Sequence, residues 1–188
     1  MTIVYILVIL LQLGVIVYFV RRGRSQTAPK SAAAVGDTYP NQRNLALSIT
    51  PYQLKLAIPD DKTLVYGVVM DWNMGDTTMT LVAYITGAAS MFLSTGGGVT
   101  NGGADPAVGE AAVEFVVATQ DFLDRGIPTT TTDIPAEGCV RFYLLTNKGL
   151  FAIQEHVKHF DDNTSVLLSL FQKGNEVVTE MRTSGINN

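Results

Sequence analysis

Residues 65–86 read VYGVVMDWNMGDTTMTLVAYIT, and this stretch decides the fold. Its first part, residues 65–72, is rich in β-branched and aromatic residues, which predicts a strand, and this strand contains a single charge, Asp71. Residues 73–76 have the composition of a turn. From residue 78 onward polar and apolar residues alternate, which indicates a second strand. The apolar residues on one face of that strand are Met79, Leu81, Ala83 and Ile85. Two strands joined by so short a turn predict an antiparallel hairpin.

Further strand signals follow along the chain. Residues 89–94 predict a third short strand after Gly87. Residues 139–146, CVRFYLLT, predict a fourth strand, and residues 150–155 predict its partner. The tight turn between these two is Asn147-Lys148-Gly149, so they form a second antiparallel hairpin.

Helix signals separate the two groups of strands. Asp105-Pro106 is a strong helix start, because aspartate caps a helix and proline suits its first position. Apolar residues then recur at helical spacing to residue 124, and a last helix follows Thr164 or Ser165. A weaker helix is expected within residues 45–58. The sequence therefore predicts an α+β fold, in which helices pack on a five-stranded antiparallel sheet. The order is three strands, a helix, two strands and a helix, preceded by one transmembrane helix.

Two resemblances rest on these elements. The element order resembles that of the profilin, roadblock and longin group of small α+β domains, which implies an architecture and no function. The segments YGVVMDW (66–72), FLSTGGG (92–98) and RFYLLTNKG (141–149) also resemble motifs of a family of small, uncharacterised bacterial proteins. This second likeness covers about residues 64–182. It implies a bacterial source and provides no functional residues to carry over to this chain.

The apolar run that begins at Thr2 and ends at Val20 predicts a transmembrane anchor. Its length as a helix, roughly 28 Å, matches the hydrocarbon core of a bilayer. Arg21, Arg22 and Arg24 follow at once, so the positive-inside rule predicts a single-pass protein of the cell (inner) membrane with the N-terminus outside and the domain cytoplasmic. These arginines are also expected to attract anionic lipid headgroups. A cleaved signal peptide is the alternative, but such peptides carry their positive charges before a shorter apolar core.

The composition after the apolar run predicts two further parts of the chain, a linker and a globular domain. Residues 21–44 are polar, basic and aperiodic, which predicts a flexible linker, and residues 45–188 are expected to form the globular domain. The chain has 13 Lys and Arg against 17 Asp and Glu, and the basic excess lies before residue 45. The net-acidic domain argues against nucleic acid as a partner. The single cysteine, Cys139, excludes an internal disulfide and a cysteine zinc cluster.

A glycine-rich segment, residues 94–103, lies between a predicted strand and a predicted helix. Glycines expose backbone N–H groups, and a helix N-terminus adds partial positive charge, so the segment suits a phosphate-bearing small molecule. Neither a Walker motif nor a dinucleotide-binding fingerprint is present, and Asp105 would repel phosphate. A flexible connection, or a close crossing of helix and sheet, is the alternative. The candidate ligand-binding residues are Ser94, Thr95, Gly96, Gly97, Gly98, Gly102 and Gly103.

Three titratable residues are candidates for sites of chemistry. His156 and His159 are the only histidines, and on one helical turn they could share a metal ion; solvated surface is the alternative. Asp71 would be a candidate general base if it were buried, whereas a strand-end carboxylate would point to water or cap the turn. No hydroxyl or thiol can be paired with a histidine on spacing. The sequence therefore predicts no catalytic residue, no metal site and no cofactor.

Two classes of function follow from these features. The first is a non-enzymatic binding or scaffold domain, presented to a cytoplasmic protein partner on a membrane tether. The second is a ligand-binding domain or enzyme that uses residues 94–103 for a phosphate-bearing small molecule.

Overall fold

The computed structural model describes residues 38–100 and 104–186. The chain divides into two compact units, Met1–Thr38 and Tyr39–Asn188, and all described residues except Thr38 belong to the second. Within this part of the chain the helices are α1 (Tyr39–Ser48), α2 (Pro106–Gln120), α3 (Val157–Asp161) and α4 (Leu168–Ile186). The strands are β1 (Val65–Asn73), β2 (Thr78–Tyr84), β3 (Ala89–Leu93), β4 (Gly98–Val99), β5 (Ile127–Thr129), β6 (Cys139–Thr146) and β7 (Gly149–His156).

The strands form one antiparallel sheet in the order β4-β3-β2-β1-β6-β7-β5. β1 lies at the centre, and every residue of it except Asn73 is buried. This burial explains its nearly continuous apolar sequence, because a strand covered on both faces has no polar face. The hairpin predicted from residues 65–86 is confirmed, with Val69 of β1 opposite Val82 of β2.

The prediction of a five-stranded sheet is wrong, because the sheet has seven strands. The additional strands, β4 and β5, lie at the two edges. β4 has two residues and β5 has three, so neither is long enough to show the alternation by which strands are identified in a sequence. Pro128 in β5 also indicates a break in a sequence, although proline is tolerated on an edge strand.

The predicted fold, with one transmembrane helix before the sheet, is corrected as well for the described part of the chain. No helix within residues 38–100 and 104–186 is long and apolar enough to cross a membrane. The stretch from Thr2 to Val20, on which the predicted transmembrane helix rests, lies outside the described residues. The basic flank Arg21, Arg22 and Arg24 lies outside them too.

The folded unit begins before the expected boundary at Leu45. Helix α1 starts at Tyr39, inside the stretch assigned to the linker, and the expected boundary falls within this helix. The sequence YPNQRNLALS has a weak apolar stripe because one of the two residues that it buries is Arg43; the other is Ala46. The helix ends at Ser48, and turns follow where the sequence indicates a helix through residue 58.

Helices α2 and α4 pack against each other and cover one face of the sheet, which we call the α2–α4 face. Asp105 caps α2 as the sequence predicts, since its side chain accepts a hydrogen bond from a backbone N–H of the first turn. Phe115 of α2 is fully buried and meets the Phe142 ring of β6 edge to face, with centroids 6.5 Å apart. Trp72 of β1 meets Phe171 of α4 in the same way at 5.4 Å. This face holds a continuous apolar core.

Helix α1 and the segment that follows it lie on the opposite face, which we call the α1 face. Ala46 packs there with buried residues of the central strands, among them Val69, Val82 and Tyr143. Asp71 lies on the same face, because it is two residues along β1 from Val69. This face therefore combines apolar packing with a buried charge.

Candidate functional site

The glycine-rich segment forms the turn of a hairpin and does not lead directly into a helix. β3 ends at Leu93 and β4 begins at Gly98, so residues 94–97 connect two paired strands. The Leu93 N–H donates to the Gly97 carbonyl oxygen at 3.1 Å, and the Gly96 N–H donates to the Leu93 carbonyl oxygen at 2.9 Å. These two bonds close the turn, and strand β4 separates it from α2.

The structure brings Ser94 to Gly98 together in this turn, where they bond to neighbouring parts of the sheet. The Ser94 hydroxyl oxygen accepts a hydrogen bond from the Thr78 N–H at 2.8 Å, and the Thr77 hydroxyl donates to Thr95 Oγ1 at 2.9 Å. Gly96 and Gly97 have φ values of 98° and 87°, a region that favours glycine. The remaining two candidates, Gly102 and Gly103, lie outside the described residues.

Gly98→Ala is expected to lower the free energy of unfolding by about 1–3 kcal/mol, as overpacking does. A Cβ atom at Gly98 would lie 2.3 Å from the carbonyl oxygen of Met91, so the backbone of β3 or β4 would have to shift. Gly97→Ala is the matched variant, because its Cβ would meet open space and only the positive φ would cost about 1 kcal/mol. Thermal unfolding of both variants measures the difference. A Gly98→Ala protein as stable as the wild type would contradict the hairpin.

His156 and His159 lie where β7 meets α3, with ring centroids 6.3 Å apart. His156 Nδ1 accepts a hydrogen bond from the Lys158 N–H at 3.2 Å and so caps α3. Its ring proton is therefore on Nε2, and a protonated nitrogen is not a metal ligand. Consistently, no group of three histidine, cysteine or carboxylate side chains that could hold a metal ion occurs in the described part of the chain.

His159 instead pairs with a carboxylate. Its Nδ1 lies 2.6 Å from Glu155 Oε1, and the Ser165 hydroxyl donates to the other carboxylate oxygen at 3.2 Å. Burial raises the pKa of Glu155, but the hydrogen bonds from His159, the His156 N–H and Ser165 outweigh it and hold this pKa below its usual value. The pair ties β7 to α3 and to the turn before α4.

Asp71 is fully buried, so its side chain does not point to water as the strand-end alternative requires. Arg43 of α1 reaches it from above the sheet: Nε donates to Asp71 Oδ2 at 3.0 Å, and Nη2 donates to the same oxygen at 2.6 Å. The Thr80 hydroxyl donates to Asp71 Oδ1 at 2.5 Å, and the Tyr39 hydroxyl lies 2.9 Å from Thr80 Oγ1. We call these four residues the Arg43–Asp71 cluster.

The electrostatics of this cluster favour the charged pair. Burial lowers the pKa of Arg43, but the hydrogen bond and the negative charge of Asp71 outweigh it, and the pKa of Arg43 is raised above its usual value. Burial also raises the pKa of Tyr39, so its hydroxyl stays protonated. In the described part of the chain every fully buried side-chain nitrogen or oxygen has a hydrogen-bond partner. With both oxygens of Asp71 engaged, the cluster joins helix to sheet and leaves no free carboxylate oxygen for a substrate.

The ring of Tyr143, which lies beside the cluster, contacts the guanidinium groups of two arginines. The Tyr143 ring has the Arg43 guanidinium 5.5 Å and the Arg141 guanidinium 5.9 Å from its centroid, distances at which a cation is attracted to the ring. The Tyr143 hydroxyl donates to the Asp133 carbonyl oxygen at 2.5 Å, and Arg141 Nη1 donates to the same oxygen at 2.9 Å. These bonds tie the loop before β6 to the α1 face.

The cluster could be found only in part from the sequence. Asp71 lies within an apolar strand. Because a buried charge needs a partner, this position indicates that a cationic side chain lies near it if the strand is buried. Arg43 was not visible as that cation, because it lies 28 residues away in a stretch without apolar periodicity. Several other basic residues are equally compatible with the sequence.

The α1 face is open at its β7 and β5 end. Residues that lie directly opposite each other on neighbouring strands point to the same face of the sheet. One such row on the α1 face crosses the sheet from β2 to β5 and consists of Val82, Val69, Tyr143, Ala152 and Ile127. Side chains become more exposed along this row, from full burial at Val69 to 72% exposure at Ile127. Leu150, two residues before Ala152 on β7, lies on the same face and is half-buried. We call Ile127, Leu150 and Ala152 the open strip.

In comparisons with protein families, with curated proteins and with solved structures, no match to this chain is found. The resemblances drawn from element order and from the three sequence motifs therefore stay predictions.

Proposed function

We propose that this is a non-enzymatic binding domain, which docks a protein partner on the open strip of the α1 face. The observation that carries the proposal is the position of Ile127. It is 72% exposed, yet it lies directly opposite Ala152 in a row of side chains that is buried at its other end. An isolated exposed apolar residue is common on protein surfaces, whereas a contiguous exposed apolar patch marks an interaction site. Ile127 is not isolated, because it adjoins the partly buried Ala152 and Leu150.

The sheet edge favours docking on the face over docking along the edge. β5 is the outer strand beside β7, and its central residue is Pro128, which has no N–H to donate to an added strand. A partner strand would therefore find an incomplete hydrogen-bonding edge there. A partner helix or loop that lies on the open strip needs only apolar contact with Ile127, Leu150 and Ala152.

The buried polar groups support a binding domain over an enzyme. Asp71, a buried carboxylate on this face, is occupied by Arg43 and Thr80. The glycine-rich turn, on which the ligand-binding alternative rests, directs the observed hydrogen bonds of Ser94 and Gly96 into the sheet. The ligand-binding alternative therefore has less support than the open strip.

Ile127→Asp is expected to abolish capture of the partner by the tagged full-length chain, because an aspartate would place a charge in the apolar contact. Val166→Asp is the matched control: Val166 is 60% exposed, but it lies just before α4 and is not part of the strip. Quantitative mass spectrometry of captured proteins measures the effect, with circular dichroism to show that both variants fold. A captured set that both variants retain equally would contradict the proposal.

A further inference from the structure

Two polar side chains, Arg141 of β6 and Gln154 of β7, lie beside the open strip. The two residues are opposite each other in the sheet, and Arg141 Nε donates to Gln154 Oε1 at 2.9 Å. Each lies two residues along its strand from a member of the row that leads to the strip, Tyr143 on β6 and Ala152 on β7. They therefore point to the α1 face, about 7 Å farther along the strands than that row. We call Arg141 and Gln154 the polar pair.

The polar pair keeps hydrogen-bond donors for a bound group. A guanidinium has N–H groups on Nε, Nη1 and Nη2. In Arg141 the Nε group donates to Gln154, and Nη1 donates to the Asp133 carbonyl oxygen at 2.9 Å and to the Tyr143 hydroxyl at 3.2 Å. Within the described part of the chain, Arg141 Nη2 and Gln154 Nε2 donate no hydrogen bond. Both nitrogens are therefore available to an acceptor from outside the chain.

The Arg141 guanidinium is held in place before any partner binds. Three hydrogen bonds fix it, and it lies 5.9 Å from the centroid of the Tyr143 ring. Binding usually costs free energy because side chains at an interface lose conformational freedom. A guanidinium that is already fixed loses little of it, so the polar pair is prepared for binding.

The charge around the strip is positive. None of the residues of β5, β6 and β7 that share the α1 face is an aspartate or a glutamate, and Arg141 is a cation among them. The hydrogen bonds of Arg141 go to an amide, a hydroxyl and a carbonyl oxygen, so no carboxylate of the described residues neutralises it. In a net-acidic domain, this face offers an apolar strip beside a cation without a counter-charge.

We propose that the partner presents a carboxylate next to an apolar side chain. The carboxylate accepts hydrogen bonds from Arg141 Nη2 and Gln154 Nε2, and the apolar side chain packs on the open strip. This inference rests on the proposed function, because it describes the partner of the same surface. Hydrogen bonds between a guanidinium and a carboxylate are about twice as strong as those between neutral groups. The partner is therefore an acidic, amphipathic segment of a protein.

A carboxylate suits the polar pair better than a phosphate does. A phosphorylated side chain carries about two negative charges, and proteins recognise it with clusters of arginines. The polar pair contributes one arginine, whose single charge matches that of one carboxylate. The spacing of about 7 Å also limits the partner sequence, because side chains three or four residues apart are neighbours on a helix. We therefore expect the acid within four residues of the apolar side chain.

Selection from a random peptide library displayed on phage tests the inference. The immobilised full-length chain should enrich peptides in which an aspartate or glutamate lies within four residues of a large apolar residue. Arg141→Gln should remove the preference for acids, because it removes the charge. Gln154→Glu should remove it too, because the new carboxylate would occupy Arg141. Gln154 is exposed, so this second variant should keep its fold, which circular dichroism checks.

The affinity of one enriched peptide gives the size of the effect. Fluorescence anisotropy compares this peptide with a version in which its acid is replaced by the corresponding amide. The wild-type chain should bind the amide version about tenfold more weakly, as expected for the loss of hydrogen bonds to a charged group. The Arg141→Gln chain should bind the two versions equally. A wild-type chain that also binds them equally would overturn the inference.

The Ile127→Asp variant separates this inference from the proposed function. If the wild-type chain enriches peptides that Ile127→Asp loses, but these peptides have no preference for acids, the apolar strip stands as the docking surface and the polar pair does not contribute. If Ile127→Asp retains the enriched peptides, or if the wild-type chain enriches none, the strip is not the contact and the proposed function fails together with the inference.

Discussion

Arg43→Met is expected to lower the free energy of unfolding by about 3 kcal/mol, which is the lower end of the range for breaking a buried ion pair. Methionine keeps the apolar stem but leaves the Asp71 carboxylate, which is fully buried, without its counter-charge. Urea unfolding followed by the fluorescence of Trp72, the only tryptophan, measures the loss.

Arg141→Met is the matched control on the same face. Arg141 also lies over the Tyr143 ring, but its hydrogen bonds go to Gln154, to the Tyr143 hydroxyl and to the Asp133 carbonyl oxygen and not to a carboxylate. We expect a loss of about 1 kcal/mol, as for ordinary hydrogen bonds. Equal losses for the two arginine variants would show that the buried charge of Asp71 is not what makes Arg43 important.

Phe115→Ala is expected to lower the free energy of unfolding by about 3–5 kcal/mol, as other large-to-small changes in protein cores do. The Phe115 side chain is fully buried, and it meets the Phe142 ring edge to face. A Cβ added at Gly174 of α4 would lie 3.3 Å from its Cζ atom, so the ring fills the narrow space between helix and sheet. Loss of the ring leaves a cavity that rigid neighbours cannot fill.

Val117→Ala on the same helix is the control for Phe115→Ala. Val117 is 56% exposed, and surface substitutions usually change stability by less than about 0.5 kcal/mol. Urea unfolding of both variants in parallel separates the loss of core packing from the change in helix propensity. A Phe115→Ala protein within about 1 kcal/mol of the wild type would contradict the packing described for the α2–α4 face.

The hairpins could be predicted from the sequence because their information is local. β1 and β2 are long and rich in strand-forming residues, and the turn between them has clear turn composition. The same holds for β6 and β7, which pair around Asn147-Lys148-Gly149 as expected. Gly149 has a φ of 117°, which explains why a glycine stands at that turn.

The edge strands and α1 could not be predicted because their stability comes from the sheet. β4 and β5 are too short to show a period, and each exists because a long strand offers hydrogen bonds beside it. Helix α1 buries Arg43 at a position where a helix usually buries an apolar residue. Its position depends on the distant residues Asp71, Tyr84 and Tyr66, which the sequence around α1 does not reveal.

The candidate site shows the same division. The positions of Ser94, Thr95, Gly96 and Gly97 between two elements were visible in the sequence, but the strand that makes their segment a hairpin turn was not. The open strip could not be seen at all, because Ile127 and Ala152 become neighbours only through strand pairing. Composition therefore indicated a ligand-binding loop at residues 94–103, whereas the tertiary structure indicates a protein-binding surface at the open strip.

A double-mutant cycle on Arg43 and Asp71 tests most directly whether the buried ion pair joins α1 to the sheet. The variants are Arg43→Met, Asp71→Leu and the double variant, with free energies of unfolding from urea titration. We expect each single variant to lose about 3 kcal/mol and the double variant to lose less than either, because it leaves no buried charge unpaired. A double variant whose loss equals the sum of the two single losses would contradict the pairing.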